Sequence, residues 1–280
     1  MASSRATRMP LAMPAPSFAA NLCVTRLGSR SLERLARAPE EAGRVHSVFE
    51  RAVNLHWHDG HLLTLQGPGP LAAPFAVALA SLPSAAALAP GTIVHRYDLD
   101  WTDAESVPLD ARAGRLAFRA VALPAAHGAL TLRTGRGLRA RRALTASFAE
   151  RDAGAFVTAA TRLIGLGEGL TPAGDDCVVG ALAAIHRLAP GWLDSRAALA
   201  IAEAARCRTT DVARDFLLEA LAGRFAEPVL AVLTAPSAAH ATAAARRLLA
   251  MGATSGADTL NGLRSACRAL ASHPAPVPIA

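Results

Sequence analysis

The chain has 280 residues, a formal net charge of +7 and a sequence pI near 10.7; this is length enough for one large domain or two ordinary ones, each with a buried core. Its 52% apolar and 18% charged residues exclude wholesale disorder. All 29 basic residues are arginine, which excludes a lysine Schiff base and a GxxxxGK[ST] phosphate loop, and leaves anions to arginine forks, backbone amides or helix N-termini.

In chain order, residues 1–22 carry Arg, Ser, Pro and Ala with no acid and no continuous apolar stretch, and read as a disordered extension rather than a targeting segment. Residues 23–140 read as a β-rich domain. Ala52 to His58 and His61 to Leu65 flank Asp59-Gly60, the strongest short signal for a two-residue hairpin. Further short apolar runs at Phe75–Leu79, Thr92–His95, Leu116–Leu123 and Ala129–Leu132, separated by Pro and Gly, predict a small antiparallel sheet or barrel.

Residues 141–272 read as a helical domain. Helices are expected over Asp152–Ile164 and over Thr171–Leu188, the latter with Thr171 as N-cap and Pro172 at the first position. Others are expected over Asp194–Arg206, from Thr209 or Thr210 to Gly223, over Ser237–Ala250, and from Thr254 or Ser255 to Ala271. Residues 273–280 read as a disordered tail. The fold class is α+β: an N-terminal β-rich sheet or small barrel, then a helical domain.

The chemistry concentrates in Gly165-Leu166-Gly167-Glu168-Gly169-Leu170-Thr171-Pro172-Ala173-Gly174-Asp175-Asp176. Alternating glycines allow positive φ and close backbone approach just before a helix start, where amides and the helix dipole favour an anion. Asp175 and Asp176 in the first turn complement the dipole and offer oxygens to a substrate NH or to a hard cation such as Mg²⁺. A helix cap with favourable acids and no ligand is the bland alternative. A second segment echoes the first: Gly169, Thr171, Gly174, Asp176 and Gly180 against Gly252, Thr254, Gly256, Asp258 and Gly262. In each, a glycine four residues after the acid clears space on the same face for a ligand or a neighbouring helix. This places two helix starts at one site, with Gly180 and Gly262 as its floor.

The segment 165–176 resembles the hallmark of a bacterial family that includes AllH, a subunit associated with oxamate carbamoyltransferase in allantoin breakdown. Val45-His46-Ser47-Val48-Phe49, Val53-Asn54-Leu55, Thr209-Thr210 and Gly252-x-Thr254-Ser255-Gly256-x-Asp258 agree with it, so the similarity runs from about Arg44 to Leu270. Against the family pattern, Ala173 stands where Ser is common and Ala253 where His is common, which bears on the substrate more than on the fold. The resemblance implies a subunit of a multi-protein carbamoyltransferase acting on oxamate, oxalurate or a related ureide, with partner subunits. The matching catalytic candidates are Asp175, Asp176 and Asp258. The substrate-binding candidates are Gly165, Gly167, Gly169, Thr171, Gly174, Thr254, Ser255 and Gly256. A non-catalytic subunit that senses or scaffolds a metabolite with the same cradle is the other reading.

Remaining signals are weaker. His56, His58 and His61 share a hairpin face, which a zinc site would need, though histidines at a turn are usually solvated. Arg133, Arg136, Arg139, Arg141 and Arg142 lack interleaved aromatics, so a solvated face or the docking surface of an acidic partner fits better than nucleic acid. No run of about 18 apolar residues lacks Gly, Pro, Arg or Asp, so no membrane span is expected. Cys23, Cys177, Cys207 and Cys267 show neither metal spacing nor a disulfide pattern and read as small buried hydrophobes in a reducing cytoplasm.

Overall fold

The computed structural model describes residues 16–18, 21–37, 42–111, 123–124 and 126–271. Its N-terminal half is a mixed sheet of β1 (Leu22–Gly28), β2 (Ala42–Val48), β3 (Ala52–Trp57), β4 (Leu62–Gln66), β5 (Ala76–Leu79), β6 (Ile93–His95), β7 (Leu99–Asp100) and β8 (Glu105–Val107). The strand order is β6-β2-β3-β4-β5-β1-β7, with β8 also on β1, and the sheet curls into a nearly closed barrel-like layer. A short helix, α1 (Ser29–Arg37), follows β1.

The hairpin at Asp59-Gly60 is present, with a three-residue loop instead of two. His56 pairs with Leu62, Trp57 N–H donates to the His61 carbonyl (2.8 Å), and Gly60 takes φ +77°. His58 and His61 therefore do not pair across the turn. The sheet is also not wholly antiparallel: β4–β5, β1–β7 and β1–β8 are parallel. Every residue of β4 and β5 is buried, as expected for strands covered on both faces. Leu63, Leu65, Val77 and Leu79 fill the barrel interior, while Leu62, Ala76 and Ala78 join the core beneath the helices.

The helices are α2 (Gly135–Glu150), α3 (Ala153–Leu163), α4 (Ala173–Leu188), α5 (Ser195–Arg208), α6 (Asp211–Leu221), α7 (Glu227–Leu233), α8 (Ala238–Leu249) and α9 (Ser255–Ala271). Asp152, Asp194, Thr210 and Ser237 each accept a first-turn backbone N–H, the capping role their residue types suggest. Three expectations shift. α2 straddles the expected division at 140/141, so the change from strand to helix falls before Gly135. The run Ala129–Leu132 carries a 3₁₀ turn over Leu130–Leu132, not a strand. Pro172 rather than Thr171 occupies the cap of α4.

Within the extension expected over 1–22, Ser17 bridges to Ile93 and β1 begins at Leu22, so those residues are ordered against the sheet. Residues 1–15, the run 116–122 and the tail 273–280 lie outside the described residues. Two of the cysteines depart from the buried reading, since Cys23 and Cys207 are exposed while Cys177 and Cys267 are buried. Among the described residues no helix is long and apolar enough to cross a membrane.

Sheet and helices are joined by polar contacts, buried and partly exposed, as well as apolar ones. Arg26 forks onto Glu227 (2.9 and 3.2 Å), and Glu227 also accepts the Leu71 amide (2.9 Å). Asp215, 2% exposed, accepts the Leu62 amide at 2.6 Å and meets His61 Nδ1 at 3.1 Å. His46 and His56 stack on each other and both meet Asp211 Oδ2, at 3.2 and 2.9 Å. The turn histidines thus face acids of α6. Among the described residues no three His, Cys, Asp or Glu side chains form a group that could hold a metal ion.

Candidate functional site

The site is built on α4 and α9, which pass each other in backbone contact. A Cβ on Gly180 would collide with the Thr259 carbonyl, and a Cβ on Gly262 with the Cys177 carbonyl. The space that these glycines clear is therefore filled by the neighbouring helix; they are not the floor of a ligand pocket. Gly174 and Gly256 do the same six residues earlier, against the carbonyls of Leu163 on α3 and Leu248 on α8. The reciprocal contacts, 82 residues apart in both helices, make α4 and α9 counterparts across a local pseudo-two-fold. Their N-termini meet, and Thr171 Oγ1 lies 2.8 Å from Ser255 Oγ.

The three acids have three different surroundings. Asp175, 1% exposed, accepts the Gly165 amide with both oxygens (3.2 and 3.1 Å) and the Thr209 hydroxyl at 3.0 Å. Burial pushes its pKa from the ordinary 3.8 to about 6, against the pull of those donors. Asp258 is fully buried and accepts the Ala129 amide at 3.1 and 3.2 Å, with Thr254 as a further donor. Burial raises its pKa as well.

Asp176 accepts from Ser255, but its Oδ2 is buried and has no partner among the described residues. Burial first, then the charges of Asp258 and Asp175, push this carboxyl well above the usual carboxylate range. It lines a cavity of about 70 Å³ together with Thr171, Ser255, Thr259, Phe216 and Met251. Such a volume holds roughly five waters or one small molecule. Asp176 alone of the three acids reaches this cavity.

Of the glycine loop's amides, the first is held within the protein. Gly165, Gly167 and Gly169 take φ +76°, +137° and +83°. The Gly165 amide is already engaged by Asp175, and Gly165 itself lies against the Arg208 carbonyl. The start of α6 pins the loop from the other side: Thr209 binds Asp175, and the Thr210 hydroxyl donates to the Leu170 carbonyl at 2.5 Å. Cys177 packs behind this frame, its thiol pushed up to about 12 by complete burial, which leaves no thiolate for nucleophilic attack. The partners that complete the site, Thr209 and the Ala129 amide, carry no sequence signal that would tie them to an acid far along the chain.

The chain thus joins a barrel-like sheet to a helical unit that carries a pinned glycine loop and a small acid-lined cavity. Two family models match along the same division: the AllH family N-terminal domain over residues 20–113, and oxamate carbamoyltransferase subunit AllH over residues 163–267. The chain belongs to the AllH family. No solved structure matches it.

Proposed function

We propose that this chain is a subunit of a cytoplasmic multi-protein carbamoyltransferase of purine-derived nitrogen catabolism, with oxamate or a closely related ureide as acceptor. The observation that carries the site is Asp176, a buried carboxyl with one unpartnered oxygen, which lines a cavity where two helix N-termini meet. In the reaction, the acceptor's amide nitrogen attacks the carbonyl carbon of carbamoyl phosphate. The C–O bond to phosphate breaks, phosphate leaves with the bonding pair, and an N–H proton is lost. Positioning and a polarising donor are the main demands of this step.

A carboxyl held protonated at neutral pH meets the second demand, because it donates a hydrogen bond to a carbonyl or carboxylate oxygen without repelling an anionic acceptor. Asp176 is assigned that role, with Thr171 and Ser255 beside it. Asp175 and Asp258 act through the backbone they hold and are positioning residues; Gly165, Gly167, Gly169, Gly174, Thr254 and Gly256 shape the loop and the second helix start. The test is reconstitution with the partner subunits and an assay of phosphate-dependent oxalurate cleavage. Asp176→Ala, which removes the donor that an asparagine amide would keep, is expected to cut kcat by about 100-fold or more with a melting curve shifted only slightly. Wild-type turnover in that variant removes Asp176 from the chemistry. A complex that forms no carbamoyl phosphate from oxalurate or its ureide relatives overturns the reaction itself.

A further inference from the structure

On the outer side of the glycine loop lies a second concavity, an open groove of about 450 Å³, whose walls include Arg136 and Arg139 of α2, Arg162 of α3, Arg208 of α5, and the backbone of Gly165 and Leu166. None of the four arginines has a carboxylate partner among the described residues. Arg162 and Arg208 lie in the last turns of their helices, where a cation complements the dipole. Arg208 is also anchored, donating to the Thr161 carbonyl at 2.6 Å.

The other two arginines have no such explanation. Arg136 sits in the first turn of α2, where a positive charge opposes the dipole, and that turn contains no acid. The N-cap Thr134 does not cap: its hydroxyl donates backwards to the Leu130 carbonyl at 3.2 Å. A helix start without an acceptor, under two arginines three residues apart and facing two more, lacks an anion in two independent ways.

We propose that this groove binds a small molecule carrying a dianionic phosphate. Four guanidinium groups exceed what one carboxylate neutralises, and their planar forks match phosphate oxygens in pairs. The volume is that of a metabolite site. The proposal does not rest on the carbamoyltransferase reading, and its test needs no partner subunit or turnover.

The experiment is calorimetric titration of the full chain with inorganic phosphate at constant ionic strength set by chloride. Wild type is expected to bind, Arg139→Gln and Arg208→Gln each to weaken binding about ten-fold or more, and Arg139→Lys to fall between. Arg246→Gln, on the exposed face of α8, is expected to bind as wild type. All four side chains line the surface, so melting curves of the variants are expected to match wild type, and a variant that melts early is replaced by its lysine counterpart. The proposal is overturned if phosphate binds no better than chloride, or if groove and control variants bind alike. It is equally overturned if an acidic peptide such as poly-glutamate binds in a groove-dependent manner while phosphate does not, since the groove is then a docking surface.

Discussion

The two helix starts, at α4 and at α9, use one frame for two outcomes. In both, a glycine two residues before an aspartate clears the preceding helix, and a glycine four residues after it clears the partner helix. Around Asp176 the frame carries a polar relay, Thr171 to Ser255 to the carboxyl, and leaves one buried oxygen without a partner. At Asp258 the hydroxyl contact comes from Thr254 at the start of its own helix, and Ala173, 82 residues before Ser255, offers none from the facing one. That acid is also satisfied by the Ala129 amide, and a Cβ on neighbouring Gly128 would strike it. Similar scaffolds thus carry one carboxylate with an unpartnered oxygen and one held by a backbone amide and a hydroxyl.

That comparison breaks first at its shared frame. Gly180→Leu and Gly262→Leu drive side chains into facing backbone, and each is expected to cost above about 3 kcal/mol in denaturant unfolding. Similar losses support the pseudo-symmetry; one tolerated substitution refutes it. A pH titration sharpens the role of Asp175. Its folded pKa of about 6 lies above the ordinary 3.8, so the folded state binds more protons between these values. The contribution is fully present below about pH 4 and is lost as pH rises through 6, by up to about 3 kcal/mol at 1.36 kcal/mol per unit. Asp175→Asn keeps an acceptor for the Gly165 amide, and its melting temperature is expected to lose this decline; an unchanged profile assigns the titration elsewhere. Next comes the contrast between acids: Asp258→Ala is expected to cost about 2 kcal/mol by orphaning the Ala129 amide. Asp176→Ala, which abandons no backbone donor, is expected to cost below about 1 kcal/mol. Equal costs would mean that both acids are structural.

Much of the helical half was legible because its signals are local. Asp152, Asp194, Thr210 and Ser237 advertise caps, and Gly165, Gly223 and Gly252 mark stops. α7 was missed although Pro228 in its first turn is a start signal, because Val229 to Leu233 is too short a run to separate helix from strand by periodicity. α1 was hidden inside a region read as β. The sheet's hairpin is local too, whereas the antiparallel pairing of β1 with β5 joins residues about 50 apart and leaves no mark on either segment. At the candidate site, residue types and the glycine echo mark two helix starts, those of α4 and α9, that do meet. The direction of each carboxyl was not legible, since Thr209, Ser255 and Ala129 reach the acids through tertiary packing. For the same reason Arg162 and Arg208 could not be linked to Arg136 and Arg139.

The close crossing of α4 and α9 also sets an order of events during synthesis. Residues Ala173 to Ile185 of α4 are all buried in the finished protein, yet the strand of chain that covers them around Gly180 arrives only with Thr259 to Leu263. At about 5–20 residues per second, the roughly 80 intervening residues take on the order of 4–16 s to emerge from the ribosome. For that interval a nearly all-apolar helix is without its main partner, so the nascent chain passes through a stage whose fate is governed by aggregation or chaperone capture rather than by the stability of the folded state.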